Sequence, residues 1–101
     1  MDHPPIRVAA LYQFTRLDDL PAIRAALFAL CEEREVKGTL LLAAEGINGT
    51  IAGPPEGVAA VIDHVRTLPG CADIAVKYSP SAAMPFARLK VRVKQEIVTM
   101  G

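Results

Sequence analysis

Residues 6–14 alternate, with Ile6, Val8, Ala10, Tyr12 and Phe14 on one side and Arg7, Ala9, Leu11 and Gln13 on the other. A period of two assigns the sets to opposite faces of a half-buried strand. Asp18 and Asp19 follow as N-cap carboxylates, and Pro21 fits only the first turn of a helix. Leu20, Ile23, Leu27, Leu30 and Cys31 then recur at the spacing of one helical face, closed by the charged run 32–35. Cys31 is thereby a small core residue. Beyond Gly38, residues 39–44 are an apolar run, the pattern of a strand covered on both faces. Glu45-Gly46-Ile47-Asn48-Gly49 predicts a hairpin turn, because either Gly46 or the Asn48-Gly49 pair can supply a positive φ. Residues 50–52 return as a strand that Gly53-Pro54-Pro55 ends. Val58, Val61, Ile62, Val65 and Leu68 repeat at helical spacing, with prolines before them and Pro69-Gly70 after.

Residues 74–78 read as another short strand and residues 79–85, which hold two prolines, as a loop. Leu89, Val91 and Val93 alternate with Arg88, Lys90, Arg92 and Lys94, a strand with one buried and one charged face. The order β-α-β-β-α-β plus a further strand is the split βαβ arrangement of ferredoxin-like α+β folds. It predicts an antiparallel sheet of four or five strands with two helices on one face and the other face open. Residues 1–101 are expected to form one such domain. Ile97, Val98 and Met100 put three large apolar residues in the last five positions, so 95–101 reads as the start of a linker and the chain as the N-terminal piece of a longer protein.

The chain has 101 residues, 51% hydrophobic and 22% charged, a composition that excludes intrinsic disorder and gives a domain enough apolar material for a core without staples. Its cysteines, Cys31 and Cys71, support neither a disulfide framework nor a zinc site, and point to the reducing cytoplasm. Met1-Asp2-His3-Pro4-Pro5 lacks the basic end and apolar run of a signal peptide. No apolar stretch approaches the roughly 18 residues of a membrane span, so no membrane partner is expected. The formal net charge is zero, yet residues 74–95 hold five basic residues and no acidic one. Four of these, Arg88, Lys90, Arg92 and Lys94, project at intervals of about 6.6 to 6.8 Å, comparable with the phosphate spacing of a nucleic-acid strand. With Lys77 they are the candidate RNA-binding residues. The competing reading is a solvated strand whose cations block edge-to-edge pairing. Tyr12, Phe14, Tyr78 and Phe86 suit a core as well as they suit a stacking platform.

Catalytic chemistry finds few candidates. His3 and His64 read as surface histidines, and Asp18 and Asp19 as caps. Gly46, Gly49 and Gly53 match neither the dinucleotide fingerprint nor the P-loop. Gly46-Ile47-Asn48-Gly49 has the form of a KH-domain loop, but that loop joins helices and this one joins strands. No catalytic residue, metal site or cofactor is therefore assigned. Glu45 and Asn48 can meet an RNA base or a partner domain, while Gly46 and Gly49 have conformational reasons to be present.

Residues 40–44 followed by Glu45-Gly46-Ile47-Asn48-Gly49-Thr50-Ile51-Ala52-Gly53 resemble the signature of the rhodanese-domain tRNA uridine hydroxylase family. Phe86-Ala87-Arg88-Leu89-Lys90-Val91-Arg92-Val93-Lys94-Gln95-Glu96-Ile97-Val98-Thr99-Met100-Gly101 is similar to the segment with which that family leaves its N-terminal domain, and Tyr12-Gln13-Phe14 also fits. The resemblance implies a bacterial cytoplasmic oxidoreductase of tRNA modification that forms 5-hydroxyuridine at the wobble position, with molecular oxygen as co-substrate. It implies an acylphosphatase-like N-terminal domain and a rhodanese domain that carries the catalytic cysteine. Neither Cys31 nor Cys71 matches that cysteine. The expected role is thus a tRNA-docking or accessory domain that is not itself catalytic. One alternative is a purely structural domain packed on the rhodanese domain through its open sheet face. Another is an acylphosphatase-like phosphate hydrolase, for which Arg16 offers an arginine but no glycine-rich cradle to set beside Asn48.

Overall fold

The computed structural model describes residues 5–94. Alternation and helical spacing resolve into β1 (Ile6–Phe14), α1 (Leu20–Glu33), β2 (Lys37–Ala43), β3 (Gly46–Gly53), α2 (Pro55–Val65), β4 (Ala75–Ser81) and β5 (Leu89–Val93). The strands form one five-stranded sheet in the order β4-β1-β3-β2-β5. This is the expected ferredoxin-like α+β class, with one difference: the sheet is mixed, because β5 runs parallel to β2. The cause is the connection 82–88. It crosses the sheet at the end where β4 finishes, so β5 sets out opposite to β4 and hence along β2. The expectation for residues 95–101 and for His3 lies outside the described residues.

Helix α1 contributes Leu27 and Cys31 to the core, and α2 contributes Val58, Val61, Ile62 and Val65. They meet Ala9, Leu11, Leu40, Leu42, Ile47, Ile51 and Val91 from the strands. On β1 it is therefore the less apolar set that packs under the helices. Ile6, Val8, Ala10, Tyr12 and Phe14 lie on the other face. The run 39–44, expected to be covered on both faces, is buried at Leu40 and Leu42 under the helices, and on the other face is buried at Ala43 and half-buried at Leu41.

Asp19 occupies the N-cap position of α1 without acting as a side-chain cap. Its backbone is left-handed (φ 54°, ψ 52°) and its carboxylate makes no capping hydrogen bond. A side-chain cap needs an extended backbone at that position. The carbonyl oxygen of Asp19 instead accepts from the N–H groups of Ala22 and Ile23, both at 3.1 Å.

The β2–β3 turn is Ala44-Glu45, and Gly46 supplies the positive φ, 150°. A Cβ there would run into the carbonyl oxygen of Gln13 on β1. Asn48 and Gly49 lie inside β3. The turn is tied to the β1–α1 loop: Thr15 N–H donates to the Glu45 carbonyl and Leu17 N–H to the Ala44 carbonyl, both at 3.0 Å. At the β5 edge, Arg24 of α1 donates through Nε to the Val91 carbonyl at 2.6 Å. Its guanidinium also lies 5.6 Å from the centre of the Phe28 ring.

The face assignment has a direct consequence for two adjacent leucines. Leu40→Ala should cost about 2–5 kcal/mol of stability, because it empties a filled core position. Leu41→Ala, on the open face, should cost about 1 kcal/mol or less. Urea denaturation of the two variants checks the assignment.

Candidate nucleic-acid interface

Pairing places residues on a common face row by row. One row crosses the sheet as Lys77, Ala10, Thr50, Thr39 and Lys90. The next is Ala75, Tyr12, Asn48, Leu41 and Arg92. Beyond it Phe14, Gly46 and Ala43 are aligned, and on the other side Ser79, Val8, Ala52 and Lys37. These residues belong to the face away from the helices. Among the described residues no element packs over it.

Charge is divided between the layers. Among the described residues no strand contains an acidic residue, and the carboxylates lie on the helices, loops and turns. Lys37, Lys77, Lys90 and Arg92 are exposed and belong to the open-face rows. Of the sequence-predicted cations, Lys90 and Arg92 stand on β5, with Arg88 and Lys94 flanking it as exposed residues. The Arg88 carbonyl accepts from Gly38 N–H at 3.0 Å, and Lys94 N–H donates to the Leu42 carbonyl at 2.7 Å, so both continue the ladder. Lys77 does not join them. It is on β4, at the opposite edge, about 19 Å away by strand spacing.

Alternation alone does not tell whether the aromatic residues face the core or solvent. Tyr12 is 37% and Phe14 56% exposed. Their ring centres are 4.9 Å apart with an interplanar angle of 73°, an edge-to-face pair. Partial burial, and secondarily the Glu45 carboxylate, push the Tyr12 phenol above its ordinary value. The ring is therefore neutral at physiological pH. The register was the missing signal: only the pairing of Tyr12 with Asn48 and of Phe14 with Gly46 shows which face they occupy.

Glu45 sits in the turn and Gly46, Asn48 and Gly49 in β3, so the signature residues straddle the end of the sheet nearest the aromatic pair. An open cleft beside them is lined by Phe14, Thr15, Arg16, Asp18 and Glu45. Two carboxylates there oppose a phosphate, and Asn48 does not line it. That geometry gives no support to acylphosphatase-like chemistry. His64 is half-buried on α2, remote from the open face. Cys31 and Cys71 are free and buried, and no group of His, Cys, Asp and Glu among the described residues could hold a metal. No described helix is long and apolar enough to cross a membrane.

Helices on one face of a split βαβ sheet define an acylphosphatase-like domain. Solved structures agree: an acylphosphatase from Coxiella burnetii superposes with TM-score 0.60 at 11% identity, over 91% of this chain and all (100%) of that one. BlrB, a BLUF protein in its dark state, superposes with TM-score 0.67 at 16% identity, over 89% of this chain and 74% of that one. These likenesses concern the fold alone. The chain belongs to the family described as the UPF0176 acylphosphatase-like domain, which it matches over residues 6–97. Its relatives include proteins named tRNA uridine(34) hydroxylase. That of Mesorhizobium japonicum is 59% identical over 96% of this chain and 31% of its own length. That of Gluconobacter oxydans is 58% identical over the same shares, 96% and 31%. The chain thus spans about 31% of the length of these relatives and aligns with an N-terminal part of them.

Burial pushes the Cys31 thiol up to about 11, from an ordinary 9.0. The folded state holds the proton more tightly than the unfolded chain does, so this contribution is complete below pH 9 and is lost as pH rises towards 11. Unfolding free energy should fall by roughly 2–3 kcal/mol across that window. The drop should be smaller in Cys31→Ala, and urea titrations at pH 8, 9, 10 and 11 measure the difference.

Proposed function

We propose that this domain docks tRNA for a cytoplasmic uridine hydroxylase that forms 5-hydroxyuridine at the wobble position with molecular oxygen, the chemistry residing in a rhodanese domain. The observation that carries the docking role is the row of cations along β5. Arg88, Lys90, Arg92 and Lys94 are all exposed, and no described strand residue sets a carboxylate beside them. A phosphate backbone that meets such a row releases condensed counterions, which gives affinity without base recognition and makes it dependent on salt. The names of the relatives supply the polyanion, a tRNA. The buried thiols, which stay protonated, supply no nucleophile.

Fluorescence anisotropy of labelled tRNA, titrated with this chain at several salt concentrations, tests the reading. Binding should weaken as salt rises. Changing Arg88, Lys90, Arg92 and Lys94 together to alanine should make the log–log salt slope shallower by about 3. Absence of binding at low salt, or an unchanged slope in the quadruple variant, would count against docking and favour a domain that only packs on the rest of its protein.

A further inference from the structure

Resting on that reading, we infer that the open sheet face receives unpaired nucleotides, with Tyr12 and Phe14 as the stacking platform and Lys77, Lys90 and Arg92 holding the backbone across the sheet. The proposal starts from the position of the rings. Two aromatic side chains at i and i+2 on β1 stand side by side, one of them more than half exposed (Phe14, 56%). Water is a poor solvent for them, and the described residues cover neither completely.

The surroundings choose the occupant. Tyr12 shares its row with Asn48, Leu41 and Arg92, and the parallel row runs from Lys77 to Lys90 over the small side chains of Ala10, Thr50 and Thr39. The result is a shallow floor with cations at both edges and rings rising at one end. Tyr12 lies about 14 Å from Arg92 by strand spacing, a span of a few nucleotides. Phosphates meet the cations at the two edges, Lys77 on β4 and Lys90 and Arg92 on β5, and bases meet the rings between them. The exposed cations Lys37, Lys77, Lys90 and Arg92, with no carboxylate on any described strand beside them, complement a polyanion.

The exposed rings also decide between forms of RNA. An A-form duplex offers a partner its phosphates and 2′-hydroxyls, with its base faces stacked inside. A flat ring can stack only on a base that is unpaired, as in a loop or single strand. The substrate class is therefore a single-stranded or loop segment, read by stacking and tolerant of base identity.

The test uses the chain with a fluorescein-labelled 12-nucleotide oligouridylate and a blunt 12-base-pair RNA duplex, by anisotropy at several salt concentrations. The single strand should bind more tightly than the duplex. The double variant Tyr12→Leu, Phe14→Leu keeps apolar bulk but removes the π faces. It should weaken single-strand binding about 10-fold or more, leave the salt slope unchanged and leave the duplex unaffected. Lys90→Gln with Arg92→Gln should instead make the slope shallower on both ligands. Equal affinity for strand and duplex, or an aromatic variant that binds the strand as tightly as the parent, overturns the stacking platform while docking through the cations stands. No binding of either RNA at low salt overturns both readings together. Circular dichroism shows whether the variants keep the fold.

Discussion

Two helices can cover only one face of a five-stranded sheet, and the rest of the molecule follows from that constraint. Because successive strand residues point to opposite sides, each strand must serve a dry face and a wet one at once. Ala9 and Leu11 on β1, Leu40 and Leu42 on β2, and Ile47 and Ile51 on β3 go under the helices. What remains is outward: Tyr12 and Phe14, Thr39 and Leu41, Asn48 and Thr50. The core could not be repacked through β1 without moving the aromatic pair, since a one-residue slip would exchange the two sets.

The same constraint explains how charge separates. Strand residues buried under the helices are apolar because burying an unpaired charge is prohibitive. Arg7 and Gln13, on the same face of β1, stand toward its ends where they are not buried. Residues on the open face are free to be polar or cationic. The described carboxylates lie on helices, loops and turns, so the described open-face rows carry one sign of charge although the chain as a whole is neutral. Total charge and pI are blind to this, because they average over layers that never share a surface. Arg24 shows the converse: its donation to the Val91 carbonyl and its packing against Phe28 use a cation to seal a strand edge.

The two helices, the hairpin, the fold class and the charged alternation of residues 88–94 were legible in the sequence, because each depends on a local period. Four features were not, because none of them depends on a local period. Periodicity says which residues share a face but not which face is covered; that follows from where the crossover helix packs. On β1 the more apolar set turned outward, so Tyr12 and Phe14 could not be told from core residues. Lys77 belongs to the same charged segment as Arg88 but sits at the far edge, since the 82–88 connection carries the chain across the sheet. The parallel pairing of β5 has the same origin. Asp19 failed as a side-chain cap for a different reason, its left-handed backbone, which composition does not reveal.

The family signature can now be read in physical terms. From Gly46 onward its residues alternate between the two tasks: Ile47 and Ile51 enter the core, while Asn48 and Thr50 join the open-face rows. Two of its glycines answer to close approach. Gly46 clears the Gln13 carbonyl, and Gly49 clears the Thr39 carbonyl and makes room for Leu40 on β2. Glu45 contributes its carbonyl to the β1–α1 loop and its charge to the surroundings of Tyr12. The motif therefore has a structural task. It fixes β3 against β1 and β2, and by fixing that register it determines which side chains stand beside the aromatic pair.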